Sequence, residues 1–128
     1  MIGADLNGLE LQAIRKILMF EVTEAAELIG ECTARSWRRW ESGKVKPPKD
    51  IQSKIFKLIE RRNNIKKGIV TRWQWEIKGG LSEGLTLKYY STFDEHRADF
   101  PHENKDRWRL YQSAVMTLLI ERDDVRLL

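Results

Sequence analysis

Apolar residues recur at helical spacing between Gly8 and Met19, where Leu11, Ile14, Ile17 and Leu18 share one side. Asn7 stands before this run as a cap and Glu10 three residues on as its reciprocal partner, with Leu6 and Leu11 placed to form a hydrophobic staple. A second short helix is expected to start between Glu21 and Thr23 and to run to Ile29, with Gly30 as its stop. Thr33 can cap a third, which continues to about Glu41 and ends at Ser42-Gly43. Three short helices in succession predict a helix-turn-helix arrangement.

Pro47 and Pro48 close that segment and Asp50 helps to start the next, in which Ile51, Ile55, Leu58, Ile59, Ile65, Ile69 and Trp73 keep helical phase. One helix to about Lys78, closed by Gly79-Gly80, far exceeds the usual length and fits a spacer or a dimer strut. Beyond it, Leu85, Leu87 and Tyr89 alternate with Thr86, Lys88 and Tyr90 as in a strand. A short helix from Phe93 to Phe100, capped by Ser91 or Thr92, should stop at Pro101. Another from about Asp106 to Arg122 carries Trp108, Tyr111, Val115, Leu118 and Leu119, and the tail from Val125 to Leu128 can add a small strand. The expected fold class is therefore mainly α, that is, α with a small β component. It comprises an amino-terminal helix-turn-helix bundle over residues 1–50, a long connecting helix over 51–80 and a small α+β carboxy-terminal dimerisation region over 81–128. The apolar set of that last region is generous for so short a segment to bury alone, which predicts a homodimer.

The composition, 41% hydrophobic and 33% charged in 128 residues, suits a folded chain and excludes a large multidomain enzyme. The net charge of +4 is modest, but it is segregated. Residues Arg35 to Arg72 hold 13 Lys or Arg against 3 Asp or Glu, whereas the rest of the chain holds 10 against 16. The single Cys32 cannot form an internal disulfide, no secretory start is visible and no apolar run approaches a membrane span, so a cytoplasmic protein without membrane contact is expected.

At 100° per residue, Ala34, Trp37, Trp40 and Glu41 fall on one side of the third helix. Arg35, Arg39 and Ser42 fall opposite, flanked by Ser36 and Arg38. One face is apolar and the other presents guanidinium groups. The major groove of double-stranded DNA admits one α-helix, and arginine pairs bidentately with guanine or grips phosphate. A solvated basic face is the ordinary alternative, but here the face lies on the second helix of a helix-turn-helix pattern. Lys46, Lys49, Lys54, Lys57, Arg61 and Arg62 can extend a phosphate grip or simply form the solvated side of the long helix.

The stretch Thr33-Ala34-Arg35-Ser36-Trp37-Arg38-Arg39-Trp40-Glu41-Ser42-Gly43-Lys44, with Ala26 four residues before Gly30, resembles the recognition helix of the Cro and phage-repressor type of helix-turn-helix proteins. Leu11-Gln12-Ala13-Ile14-Arg15, Ser36-Trp37-Arg38-Arg39-Trp40-Glu41-Ser42-Gly43 and Trp108-Arg109-Leu110-Tyr111-Gln112-Ser113-Ala114-Val115 resemble the YdiL-like group, which includes autorepressors encoded beside anti-CRISPR genes. The resemblance covers nearly the whole chain. It implies a sequence-specific regulator of transcription, a dimeric repressor on an inverted-repeat operator. By the same resemblance Thr33 caps the recognition helix and touches phosphate, Arg35, Ser36 and Arg39 face base edges, and Arg38, Ser42 and Lys44 hold the backbone. Lys46 joins this DNA-binding set. Arg15 should meet Glu41 in a buried pair. The turn holds one residue more before Thr33 than the common phage-repressor pattern, and Ala34 stands where many relatives have a polar reader.

Two rival readings share these features: an antitoxin-type repressor whose carboxy-terminal half grips a toxin protein, and a translational regulator whose arginines and aromatic residues bind RNA. Trp37, Trp40 and Trp108 are expected in the core, and Trp75 has no evident role. His96 and His102 have no partner at ligand or catalytic spacing, and no phosphate-cradling loop, triad or paired-carboxylate pattern stands out. No enzyme activity, cofactor or metal is expected.

Overall fold

The computed structural model describes residues 5–78 and 84–128. Its elements are α1 (Gly8–Ile17), α2 (Val22–Ala25) continued by a π turn (Ala26–Gly30), α3 (Ala34–Glu41), α4 (Lys49–Lys78), β1 (Leu85–Leu87), α5 (Phe93–Asp99), α6 (Lys105–Glu121) and β2 (Val125–Leu127). The fold is mainly α with a small β component. The chain forms two compact units, one ending at Glu60 and the other running from Arg61 to Leu128.

In the first unit, the Asn7 side chain accepts from Glu10 N–H while the Glu10 carboxylate accepts from Asn7 N–H, so both ends of the capping box are made. Helix α1 stops at Ile17, two residues earlier than the apolar spacing predicts, because Met19 adopts a left-handed backbone conformation (φ 71°). Ile17 is accordingly left outside the core at 60% exposure. Leu11, Leu18, Ala25, Ile29, Trp37 and Ile55 fill the interior. Gln52, buried on α4, accepts from Leu6 N–H at 2.8 Å and donates to the Pro47 carbonyl at 3.0 Å, tying the chain start and the proline corner to that helix.

The stop after α2 differs from the expected glycine stop. Glu31, not Gly30, takes the left-handed conformation (φ 48°), and Cys32 N–H reaches back to the Ala26 carbonyl at 3.0 Å. Gly30 is needed for room instead: a Cβ there would lie 2.7 Å from Cys32 Sγ, 3.2 Å from Trp37 and 3.3 Å from Trp40. The π turn, wider than an α turn, takes up the additional residue before Thr33.

In the second unit, β1 and β2 pair in parallel with Leu85 opposite Val125 and Leu87 opposite Leu127. β1 precedes and β2 follows the α5–α6 segment, which supplies the crossover that a parallel pair requires. Trp73, Leu85, Leu118 and Val125 pack as a core, covered by Ile69, Val70 and Leu87. The indole of Trp108 and the amide of Gln112 both donate to the Tyr90 carbonyl, at 2.8 and 2.9 Å. Thr92, rather than Ser91, caps α5 by accepting from Glu95 N–H. The expected Gly79-Gly80 stop lies outside the described residues. Among the described residues no helix is long and apolar enough to cross a membrane.

Candidate nucleic-acid interface

Helix α3 is anchored on one side and open on the other. Thr33 caps it by accepting from Ser36 N–H at 3.1 Å. Trp37 and Trp40 turn inward with ring centroids 5.5 Å apart, and Trp37 is wholly buried. The Trp37 indole donates to Glu41 Oε2 at 2.5 Å, and the same carboxylate takes two hydrogen bonds from Arg15. These contacts fix the rotation of α3, leaving Arg35, Arg38 and Arg39 exposed on its outer side.

The chain then folds back. Gly43 has φ 82°, a conformation that other residues adopt at a cost, and Val45 N–H donates to the Arg39 carbonyl at 3.3 Å. Lys44 thereby joins Arg35, Arg38, Arg39 and Ser42 around one hollow of about 490 Å³. Among the described residues, four cations and one hydroxyl line it and no carboxylate does. Like charges gathered on one surface without acidic partners favour an anionic, extended ligand.

Thr33, Ser36 and Lys46, the rest of the expected DNA-binding set, do not line this hollow. Ser36 is half-buried and borders a neighbouring depression with Arg39 and Val45. Thr33 is exposed at the helix start. Lys46 lies in an exposed ion pair with Asp5, 2.5 Å apart, and this cation holds the Asp5 carboxyl below its ordinary value. Ala34 is half-buried. Sequence reasoning missed Gln12 and the Asn7-Gly8 start of α1, which border a larger cleft together with Arg38 and Ser42. The apolar period of α1 marks Gln12 only as off the core face, which does not by itself reveal what it stands beside.

The cations further along α4 divide differently. Lys54 approaches the Ile29 carbonyl at 3.4 Å and Glu31 at 3.9 Å. Arg62 donates to Ser113 Oγ and Thr117 Oγ1 on α6, and Lys66 pairs with Glu121 at 2.7 Å. Those side chains brace their own units.

Residues 6–127 match the Aca2/YdiL-like family, which takes in both units. The chain belongs to that family. It is 42% identical over 112 residues to the Aca2 repressor of Pectobacterium phage ZF40, a match spanning 86% of this chain and 90% of that protein. It is 25% identical over 114 residues to YdiL of Escherichia coli (strain K12), whose name carries no function, spanning 88% and 92% of the two chains. The family span includes the Asn7 capping box, the tryptophan-anchored helix α3 and both short strands. Trp37 and Glu41, which hold α3, and Trp108 and Gln112, which hold the Tyr90 loop, fall in the stretches that carried the resemblance in the sequence.

Proposed function

We propose that this protein is a transcriptional repressor that binds duplex DNA sequence-specifically as a homodimer on an inverted repeat. The carrying observation is the hollow of Arg35, Arg38, Arg39, Ser42 and Lys44 on the outward side of a helix whose inward side is locked by Trp37, Trp40 and Glu41. A rigid helix with a guanidinium face is what major-groove readout requires, and the relative named a repressor supports the same role. Arg35, Ser36 and Arg39 read base edges. Thr33, Arg38, Ser42, Lys44 and Lys46 hold phosphates, with Lys46 exchanging Asp5 for the backbone. Gln12 and the start of α1 flank Arg38 and add to that grip. Repression then requires occupancy alone, with no chemical step.

Residues 1–50 act as the reading head, 51–80 as the joining helix and 81–128 as the pairing region. The apolar set first invoked for pairing has another use, since Leu85, Trp108, Val115 and Leu118 are buried within the single chain. The partner copy is instead met by the strip of α6 that carries Met116, Leu119 and Ile120, of which Ile120 is 85% exposed.

Selection of bound sequences from random duplex DNA tests the reading. The expected result is a two-fold motif with half-sites about one helical turn, roughly 34 Å, apart. Failure to enrich any motif, or preference for structured RNA over every selected duplex, overturns it.

A further inference from the structure

Within the second unit, a cleft of about 470 Å³ opens between the later turns of α4, the end of α5 and the start of α6. That volume falls within the range of small-molecule sites, roughly 300 to 1,000 Å³. Three guanidinium groups line it, those of Arg61, Arg72 and Arg107, against one carboxylate, that of Glu103. Phe100 and Tyr111 add aromatic surface. Arg61 and Arg107 stand 3.7 and 3.6 Å from Asp106 and Glu103, longer than charge-assisted hydrogen bonds, and about half of each side chain is open to water. Such loose pairs orient a guanidinium without saturating its five donors.

Two residues at the cleft are poor choices for folding alone. Gly68 stands on its α4 wall, where glycine weakens a helix interior, yet a Cβ at that position would meet nothing within 4 Å. Packing therefore does not demand the glycine; open space in the cleft is what it preserves. His96 is 1% exposed, with Nε2 2.8 Å from Glu103 Oε1 and, among the described residues, no hydrogen-bond partner for Nδ1. A buried unmatched ring nitrogen is a burden that an apolar residue would avoid.

We propose that this cleft binds a small organic phosphate monoester bearing a flat ring, of aryl or nucleoside type. Arg61 and Arg107 donate to the phosphate oxygens, for which the planar guanidinium fork is suited. The ring lies against Phe100 and Tyr111. Glu103 opposes a bare inorganic anion, so the ring supplies part of the affinity. None of these residues borders the hollow on α3, and the site stands or falls separately from DNA recognition.

The test is a titration of the full isotope-labelled chain with phenyl phosphate and with adenosine monophosphate, followed by nuclear magnetic resonance. Saturable shifts are expected at the Gly68 amide and at the rings of His96, Phe100 and Tyr111. Inorganic phosphate and adenosine should each bind about tenfold more weakly or worse, and Arg107→Gln should weaken phenyl phosphate by a similar factor. Gly68→Leu should retain or raise the melting temperature, because leucine favours the helix and space is open, yet abolish binding by filling the cleft. The proposal is overturned if no shift saturates, if inorganic phosphate binds as well as phenyl phosphate, or if Gly68→Leu binds normally. A change of oligomeric state in Gly68→Leu by light scattering overturns it too, since the cleft would then be a subunit interface.

Discussion

The Arg15 guanidinium holds the Glu41 carboxylate through two hydrogen bonds, Nε to Oε2 at 2.6 Å and Nη2 to Oε1 at 3.1 Å, with both side chains over 90% buried. Arg15 also donates to the Phe20 carbonyl at 3.0 Å, and Trp37 donates to the same carboxylate. One ion pair thus joins α1, the turn after it and the end of α3. The expectation of a buried pair, which rested on family resemblance, is met by the geometry.

Removing either partner strands the other charge in the interior. Arg15→Met and Glu41→Gln are each expected to lower unfolding free energy by about 3 to 5 kcal/mol, read from denaturant midpoints. The double variant should lose less than the two single losses combined, because no orphaned charge remains. Nearly unchanged midpoints for both single variants would contradict this role.

Gly8 sits where α1 crosses the end of α3, and a Cβ there would lie 2.4 Å from the Glu41 carbonyl oxygen. Gly8→Ala should therefore destabilise by roughly 1 to 3 kcal/mol although alanine is the better helix former. Thermal melts of the two chains check the sign.

Base reading and backbone gripping separate by variant. Arg39→Ala should weaken binding to the selected operator far more than to scrambled duplex, a loss of roughly 1 to 3 kcal/mol in discrimination. Lys44→Ala should weaken both duplexes alike and reduce the slope of log affinity against log salt by about 0.9. Equal losses on both duplexes for Arg39→Ala would assign that side chain to the backbone.

The exposed strip of α6 carries the pairing prediction. Ile120→Glu introduces a charge where Met116, Leu119 and Ile120 present apolar surface. The variant should be monomeric by light scattering at micromolar concentration while keeping the wild-type circular dichroism spectrum. A dimeric Ile120→Glu chain would place the pairing elsewhere.

Lys88 and the Tyr90 hydroxyl both donate to Asp99 Oδ2 at 2.7 Å, which holds the Asp99 carboxyl below its ordinary 3.8. Burial, reinforced by that carboxylate, pushes the Tyr90 phenol up. A folded value below the unfolded one means that the contribution is present above the unfolded value, 3.8, and is lost as pH falls through the lower folded one. Asp99→Asn should thus be less stable than wild type at pH 7, and the gap should narrow in acid. Unfolding midpoints from pH 7 down to about pH 2 would show whether the two curves converge.

Local sequence by itself determined the helices and their starts. Asn7 with Glu10, Thr33 and Thr92 satisfy helix N–H groups from within a few residues, so their capping needs no knowledge of the fold. The opposed faces of α3 were equally legible, because Trp37 and Trp40 recur at helical period while Arg35 and Arg39 fall on the opposite side. The short strands and the long helix follow the same rule of local period.

Only tertiary structure decided what those faces meet. Gly30 looked like a helix stop, but its place is set by the Cys32 sulfur two residues on and by two indole rings arriving from another helix. Helix α6 buries Leu110, Gln112, Ser113 and Ala114 as well as Trp108 and Leu118, because it is packed on several sides; a single apolar stripe does not describe such a helix. The pairing of Leu85 with Val125 joins residues 40 positions apart, and the gathering of Lys44 with Arg35 depends on a left-handed Gly43. Periodicity reports which side of an element is apolar; closure of the chain reports which cations share a surface, and the proposed recognition rests on the second.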